Sequence, residues 1–449
     1  MSASRLSGRA RALALEITAE ARAEWGFASD LIARGFRAHR ELSSGDRRLC
    51  AETIYGLIRM DRRLDAILEE LAGPTPLSPH ARDELKLLVY EARAGIPLGA
   101  LAADAKRLAA AIRPGAAFTL DLERAVGDDA GLGTRRGLDR EAVRLSYPTW
   151  LLELFSADLG DDEALALAEA MNRRAPMAVR ANTGRGSRDG LAARLADEQV
   201  TTHPTPLAPE GLIFDTRVNA FALSAFRDGL FEVMDEGSQL VAELVAPPPG
   251  GRVVDACAGA GGKTLAIGAG LGGKGRLLAL DTDGKKLEEL RRRARRAGLT
   301  NVEARQVTDA GQGAGKTSLA RPGGFDRVLV DAPCSGLGTL RRNPEARWRL
   351  TRAAVEAFPA RQLALLVDYA PLCAVGGRLI YATCTVTRAE NDRVIERFLA
   401  ERDDFVAVPV KEIWGRARAE QVGDGQVLRL LPNRHDTDGF FAAVLRRVR

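Results

Sequence analysis

Val253-Val254-Asp255-Ala256-Cys257-Ala258-Gly259-Ala260-Gly261-Gly262-Lys263-Thr264 reads as a short apolar strand ending in an acid, a glycine-rich turn, and the start of a helix. Glycines at such a turn let the backbone approach a ligand closely and aim N–H groups at it. Two phosphate-binding patterns are excluded at once. A P-loop needs Gly, or Ala, six residues before the Lys, where this chain has Cys257. A dinucleotide fingerprint needs a third glycine after Gly259 and Gly261, and that position is Thr264.

Strands and helices alternate outward from this stretch. Strand-like runs lie at 252–256, 276–281, 302–307, 326–331 and 377–383, with helical stretches such as 285–297 between most of them. The alternation predicts an α/β fold with an open, mostly parallel sheet. Two late runs, 427–431 and 439–445, are short and close enough to pair antiparallel at a sheet edge. Asp281 ends the second strand, where a carboxylate suits a ribose diol; Asp309 follows the third, where one can accept from an adenine amino group. Either acid alone also fits a helix N-cap or a turn. Together with a glycine loop that lacks a phosphate motif, they point to an adenosyl ligand without phosphates, such as S-adenosylmethionine. Residues 310–317 match a loosened P-loop, but only Ser318, Leu319, Ala320 and Arg321 separate them from Pro322-Gly323-Gly324. A P-loop must open a helix, so this stretch reads as a surface loop.

The chain has five cysteines, Cys50, Cys257, Cys334, Cys373 and Cys384, with no CxxC or HxxxH pattern. That argues against a disulfide framework and against a metal site, and predicts a reducing cytoplasm. The fourth strand runs into Asp331-Ala332-Pro333-Cys334-Ser335-Gly336 and the fifth into Tyr381-Ala382-Thr383-Cys384-Thr385. In a parallel sheet both turns lie at the carboxyl edge, where such folds bind ligands. One strand-end cysteine is ordinarily a packing residue, which suits Cys373 and Cys50. Two at one edge, beside Asp331 and Lys263, suggest chemistry. C5 of cytosine is too poor a nucleophile to take a methyl group directly. A thiolate adding to C6 makes C5 enamine-like, a carboxyl near N3 assists, and a base must later remove the C5 proton.

At these residues the sequence resembles the RNA 5-methylcytosine methyltransferases of the Sun/RsmB group. The likeness covers about 145 to 449, through DACAGAGGKT, LLALD, VTDA, DAPCSGLGTLRRNPEARW, YATCTV and DGFFAAVLRR. It implies a class I S-adenosylmethionine methyltransferase (Rossmann-like) sheet, with Cys384 as nucleophile, Cys334 assisting product release and Asp331 contacting the target cytosine. Lys263 joins them as a candidate catalytic residue. Cofactor contacts would fall on Cys257, Ala258, Gly259, Ala260, Gly261, Gly262, Lys263, Asp281, Asp309 and Asp331. One departure is Ala260, where the family usually has Pro, which loosens the loop. The N-terminal helices resemble a NusB-like RNA-binding domain through Ser44-Gly45-Asp46-Arg47-Arg48 and Thr53-Ile54-Tyr55-Gly56-Leu57-Ile58-Arg59. The implied organisation is an all-α NusB-like domain at 1–140, a small α+β RRM-like segment at 141–245 and the catalytic domain at 246–449. The expected partner is RNA, with small-subunit ribosomal RNA favoured over transfer RNA.

The rest of the chain fits this division. Cys50, Ile54, Leu57 and Ile58, then Leu64, Ile67, Leu68 and Leu71, recur at helical spacing. Gly73-Pro74-Thr75-Pro76 breaks that pattern, another helical run spans 81–112, and 127–137 reads as a linker. The segment 177–182 resembles a short strand. Hydrophobic residues make up 46% of 449, which excludes disorder as the main state, and the first 25 residues suggest an amphipathic helix instead of a signal or transit peptide. No run approaches the roughly 18 apolar residues of a membrane span. A net charge of +5 does not by itself indicate nucleic acid. The Arg341–Arg349 stretch, with four Arg and Trp348 just past Cys334, suggests phosphate contact and base stacking. The run Arg291–Arg296 suggests a solvated helix face. The remaining expectations are no metal, no membrane and a monomer. The rivals are a DNA cytosine methyltransferase using Cys334, a non-catalytic RNA-binding or assembly factor, and an NTPase, for which no ATP turnover is expected.

Overall fold

Among the described residues up to 172, the apolar spacing builds helices and no strand. The computed structural model describes residues 5–73, 76–112, 120–307 and 322–449. Helices Gly8–Glu24, Ser44–Arg59 and Pro79–Arg93 are each opened by a serine, Ser7, Ser43 and Ser78, whose hydroxyl accepts from a first-turn N–H. Asp61–Ala72 ends at Gly73 with φ 61°, and Pro79 sits at a first helical position where no N–H is missed. Cys50, Ile54, Leu57, Ile58, Leu64, Ile67 and Leu68 are all buried, as their spacing predicts. The single helix expected over 81–112 is two, Pro79–Arg93 and Leu98–Ile112, because Gly95 (φ 89°) and Pro97 turn the chain between them.

The segment expected to be a linker is fixed instead. Ala130 and Leu132 are buried, the Gly131 N–H donates to Glu70, and a Cβ on Gly131 would stand 2.6 Å from the Ile67 nitrogen. The chain divides into two compact units, Met1–Arg173 with Leu340–Arg352, and Arg174–Thr339 with Ala353–Arg449. The break after Arg173 leaves the helices Gly137–Leu145, Thr149–Leu159 and Asp161–Asn172 in the first unit.

The second unit begins with a small antiparallel sheet of β1 (Ala178–Ala181), β2 (Thr202–Pro204), β3 (Gly211–Phe214) and β4 (Phe231–Val233), ordered β2-β3-β1-β4. The large sheet follows: β5 (Arg252–Asp255), β6 (Arg276–Asp281), β7 (Val302–Gln306), β8 (Phe325–Asp331), β9 (Cys373–Thr383), β10 (Phe405–Val408), β11 (Leu428–Leu430) and β12 (Phe440–Arg447). Its order is β10-β12-β9-β8-β5-β6-β7, with β11 paired to β12. β5 to β9 run parallel, and the order reverses between β8, β5 and β6, a crevice where open sheets take ligands. Separate apolar clusters cover the two faces, so the central strands are buried on both sides. β11 and β12 pair antiparallel as expected. β12 does not lie at the edge, however: it inserts between β9 and β10, antiparallel to both, because Phe440 to Leu445 is apolar on both faces. Among the described residues no helix is long and apolar enough to cross a membrane.

Candidate active site at the carboxyl edge of the parallel sheet

The glycine turn after β5 is tied to the strands on either side, Ala256 N–H donating to Leu329 O (2.8 Å) and Ala258 N–H to Leu280 O (2.9 Å). Gly259 and Gly261 both have positive φ, 53° and 89°. Gly261 is needed for space as well, since a Cβ there would stand 2.6 Å from the Leu290 side chain. A Cβ on Gly259 or Gly262 would meet nothing within 4 Å, so the turn presents bare backbone to open space. Asp281 lies beside it: one carboxylate oxygen accepts from Gly259 N–H (2.8 Å) and the other from Asp283 N–H (2.8 Å). Each oxygen keeps a lone pair for a further donor. Asp309 and residues 310–317 lie outside the described residues.

Behind the turn, Asp255 is buried and accepts from the Thr264 hydroxyl (2.7 Å). Burial pushes its carboxyl up to about 7, against that hydrogen bond. Cys257 is likewise pushed well above the usual thiol range, by burial and then by the charges of Asp255, Asp331 and Asp281. It is a wall of the loop and not a nucleophile.

Lys263, Asp331, Cys334 and Cys384 come together. Lys263 Nζ stands 2.7 Å from Asp331 Oδ2, with its side chain only 11% exposed, and lies 5.1 Å from the centre of the Phe440 ring. Burial works to lower the ammonium, yet the charge and hydrogen bond of Asp331, helped by Cys384 and Asp255, hold it above its ordinary value. The lysine is therefore a fixed cation within electrostatic reach of the Cys384 sulfur. The two sulfurs, on half-buried residues, are 3.4 Å apart. Cys334 is driven well above the usual thiol range, first by its hydrogen bond with Cys384, then by burial and the charges of Cys384 and Glu390. Cys334 is thus held as a thiol. Cys50 and Cys373 are core residues, raised to about 11 and about 12, chiefly by burial.

Several participants are invisible in the sequence. Glu390 takes hydrogen bonds from the residues following both cysteines, and Gln362 joins it from the helix Phe358–Tyr369. Only the cluster of Thr385, Thr387 and Glu390 so soon after Cys384 hinted at it. Arg293 Nη1 donates to Ala260 O (2.7 Å) while its other nitrogens reach Glu232, so the loop that lacks a proline is pinned from outside.

That contact also divides the basic run at 291–296: Arg291, Arg292 and Arg295 are exposed, as a solvated face expects, and the other two are not. Arg293 and Arg296 both pair with Glu232, which is nearly inaccessible, and so join the helix Gly284–Ala297 to the small sheet instead of facing solvent. In the stretch after Cys334, Arg341 and Arg347 are buried. Arg347 stacks 3.9 Å above Tyr147 and donates to Ser146 O and Asn172 Oδ1. Trp348 donates to Ile58 O (2.7 Å) and stacks on Trp25. These side chains help build the first unit: Trp348 is half-buried and packed against it, and Arg349 is exposed.

Known proteins resemble this chain over most of its length. The family model for the 16S rRNA methyltransferases RsmB/F matches residues 242–446, and the ferredoxin-like domain of the same proteins matches 147–220. A probable ribosomal RNA small subunit methyltransferase B of Synechocystis is 34% identical, over 98% of this chain and 99% of its own. Ribosomal RNA small subunit methyltransferase B of Xanthomonas campestris is 32% identical, over 89% of each. Among solved structures, a methyltransferase homolog protein from Pyrococcus horikoshii superimposes with a TM-score of 0.58 and 27% identity, over 69% of this chain and 98% of that one.

Proposed function

The chain belongs to the RsmB/F family of 16S rRNA methyltransferases, and from that premise we propose that it methylates C5 of a cytosine in small-subunit ribosomal RNA through a transient Cys384–C6 bond. The observation that carries this reading is the pair of sulfurs 3.4 Å apart at the strand ends, beside a buried lysine–aspartate pair. A single thiol would suit packing. Two thiols, one held protonated, suit a reaction that needs both a nucleophile and help in its departure.

S-adenosylmethionine, when bound, supplies a methyl group on a positively charged sulfur. The residues present fit it: bare backbone at Gly259 and Gly262, the free lone pairs of Asp281 for a ribose diol, and a turn whose sequence matches neither phosphate pattern. The Cys384 sulfur bonds to C6 of the cytosine, and the C5=C6 π pair moves onto C5 and toward N3, an edge that Asp331 contacts. The electron-rich C5 would then take the methyl group that bound S-adenosylmethionine would supply, the methyl–sulfur pair staying on the cofactor's sulfur. The C5 proton passes to solvent water, its C–H pair restores C5=C6, and the C6–S pair returns to Cys384, a departure that the Cys334 thiol beside it assists. Lys263 holds the Asp331 carboxylate and favours charge on the Cys384 sulfur. The target base must leave its stack to reach this edge. We also propose that the N-terminal helices bind RNA in the manner of a NusB-like domain and that the protein acts in the cytoplasm as a monomer.

The test is to incubate parent, Cys384→Ser and Cys334→Ser proteins with 16S RNA and S-adenosylmethionine and run denaturing gels. Cys384→Ser is expected to transfer nothing, and Cys334→Ser to retain RNA as a slow covalent band. Full activity in Cys384→Ser overturns the mechanism, and a band that depends on Cys334 instead would assign the nucleophile of the DNA enzymes. Bisulfite sequencing of total RNA with and without the protein identifies the nucleotide.

A further inference from the structure

One fully buried carboxylate has no part in that chemistry. Glu390 Oε2 accepts from Ser335 N–H (2.8 Å) and Gln362 Nε2 (3.0 Å), and Oε1 accepts from the hydroxyls of Ser335 (2.6 Å) and Thr387 (3.0 Å). The Thr385 hydroxyl lies 3.1 Å from Oε1 and 2.8 Å from Ser335 Oγ. The second N–H of Gln362 reaches Pro333 O (3.1 Å). Asn391, next in the chain, accepts from the Thr383 hydroxyl (2.6 Å) and donates to Thr385 O (3.2 Å). Both neighbours of Cys334 and both neighbours of Cys384 therefore converge on residues 390, 391 and 362.

The residue type follows from the donors. At least four donors point at one group, and among neutral or anionic side chains only an ionised carboxylate accepts at every lone pair. A glutamine would turn an NH2 toward donors, and an apolar residue would leave two hydroxyls and a backbone N–H buried without partners. Burying a carboxylate is costly unless it is fully hydrogen-bonded, so packing alone gives no reason for one here.

We propose that Glu390 is a positioning residue for the thiol pair: it holds the Cys334 and Cys384 turns in the register that keeps their sulfurs in contact, and so sets the rate of product release. The inference rests on the cysteine reaction proposed above. The Glu390 charge also helps keep Cys334 protonated, behind the Cys384 hydrogen bond and burial.

The experiment is single-turnover methylation of 16S RNA, with adduct formation and adduct release followed separately across pH. In Glu390→Gln, adduct formation is expected at the parental rate, with release slowed about 100-fold, the effect of a displacement near 1 Å. The pH profile of release should move to lower pH, because a charge that raises Cys334 is gone. Glu390→Asp should restore part of the rate. Should Glu390→Gln not fold, Gln362→Met, which removes one donor and the link to Pro333, should slow release in the same sense. Thermal midpoint and S-adenosylmethionine titration verify the fold of each variant. Release at the parental rate in folded variants overturns the proposal, as does an equal loss in both steps with an unmoved pH profile. Cys334→Ser run alongside separates the two failures. If it traps no adduct, the cysteine reaction itself is wrong; if it does while Glu390→Gln releases normally, only this inference falls.

Discussion

Replacing Arg293 by Ala tests how the cofactor loop is held. The side chain makes a charge-assisted hydrogen bond to Ala260 O (2.7 Å) and two contacts of 3.0 and 3.2 Å to Glu232 Oε2. A hydrogen bond from a charged donor contributes about 1.5–3 kcal/mol net. The loop has no proline at 260 to stiffen it, so without Arg293 the cost of ordering falls on ligand binding. With 1.4 kcal/mol per factor of ten, S-adenosylmethionine affinity in Arg293→Ala should fall roughly 10- to 100-fold. Isothermal titration of the purified full chain measures it. Arg296→Ala is the control, because Arg296 shares Glu232 and stacks on Phe226 but makes no contact with the loop carbonyl. It should cost stability and leave affinity unchanged. Arg293→Lys should not rescue, since one ammonium cannot span Ala260 and Glu232 as a guanidinium does. Parental affinity in Arg293→Ala, or an equal loss in Arg296→Ala, would refute the argument.

Two further outcomes follow from burial. Trp348→Phe keeps a ring against Trp25 but strands Ile58 O, so thermal denaturation should show a loss of about 1–3 kcal/mol while RNA affinity stays unchanged; a drop in RNA binding without a stability loss would restore a surface role for Trp348. For Asp255 the folded carboxyl titrates near 7 against an ordinary 3.8, so the folded state holds a proton that the unfolded state has released between those values. Its stabilising contribution is complete below 3.8 and is lost as pH rises through about 7. Asp255→Asn should therefore flatten the decline in thermal midpoint across that interval, and an identical slope in the variant would contradict the assignment.

The α/β sheet, its mostly parallel character and the residues at its carboxyl edge are legible because each leaves a local mark. Apolar runs of strand length recur, and Cys334, Cys384, Asp281 and Asp331 sit at or just past strand ends. What escaped the sequence is non-local. β12 reads like an edge strand until the position of β10 is known, and β10 is only four residues long. Arginines 293, 296 and 347 look like surface charge in a row of letters, because their partners, Glu232, Tyr147 and Asn172, lie more than sixty residues away. Glu390 was invisible for a related reason: its identity is set by donors from two other turns and a helix.

Unit 1 also has a consequence for synthesis on the ribosome. It is discontinuous, built from Met1–Arg173 plus Leu340–Arg352, and the later piece supplies Arg347 and Trp348 to its interior. At about 5–20 residues per second, residue 352 is made roughly ten to forty seconds after residue 173. Throughout that interval Tyr147 and Asn172 wait for Arg347, and the Ile58 carbonyl for Trp348. The amino-terminal helices, although first out, finish folding only once β8 and its cysteine turn have been translated, so the order of emergence and the order of completion differ.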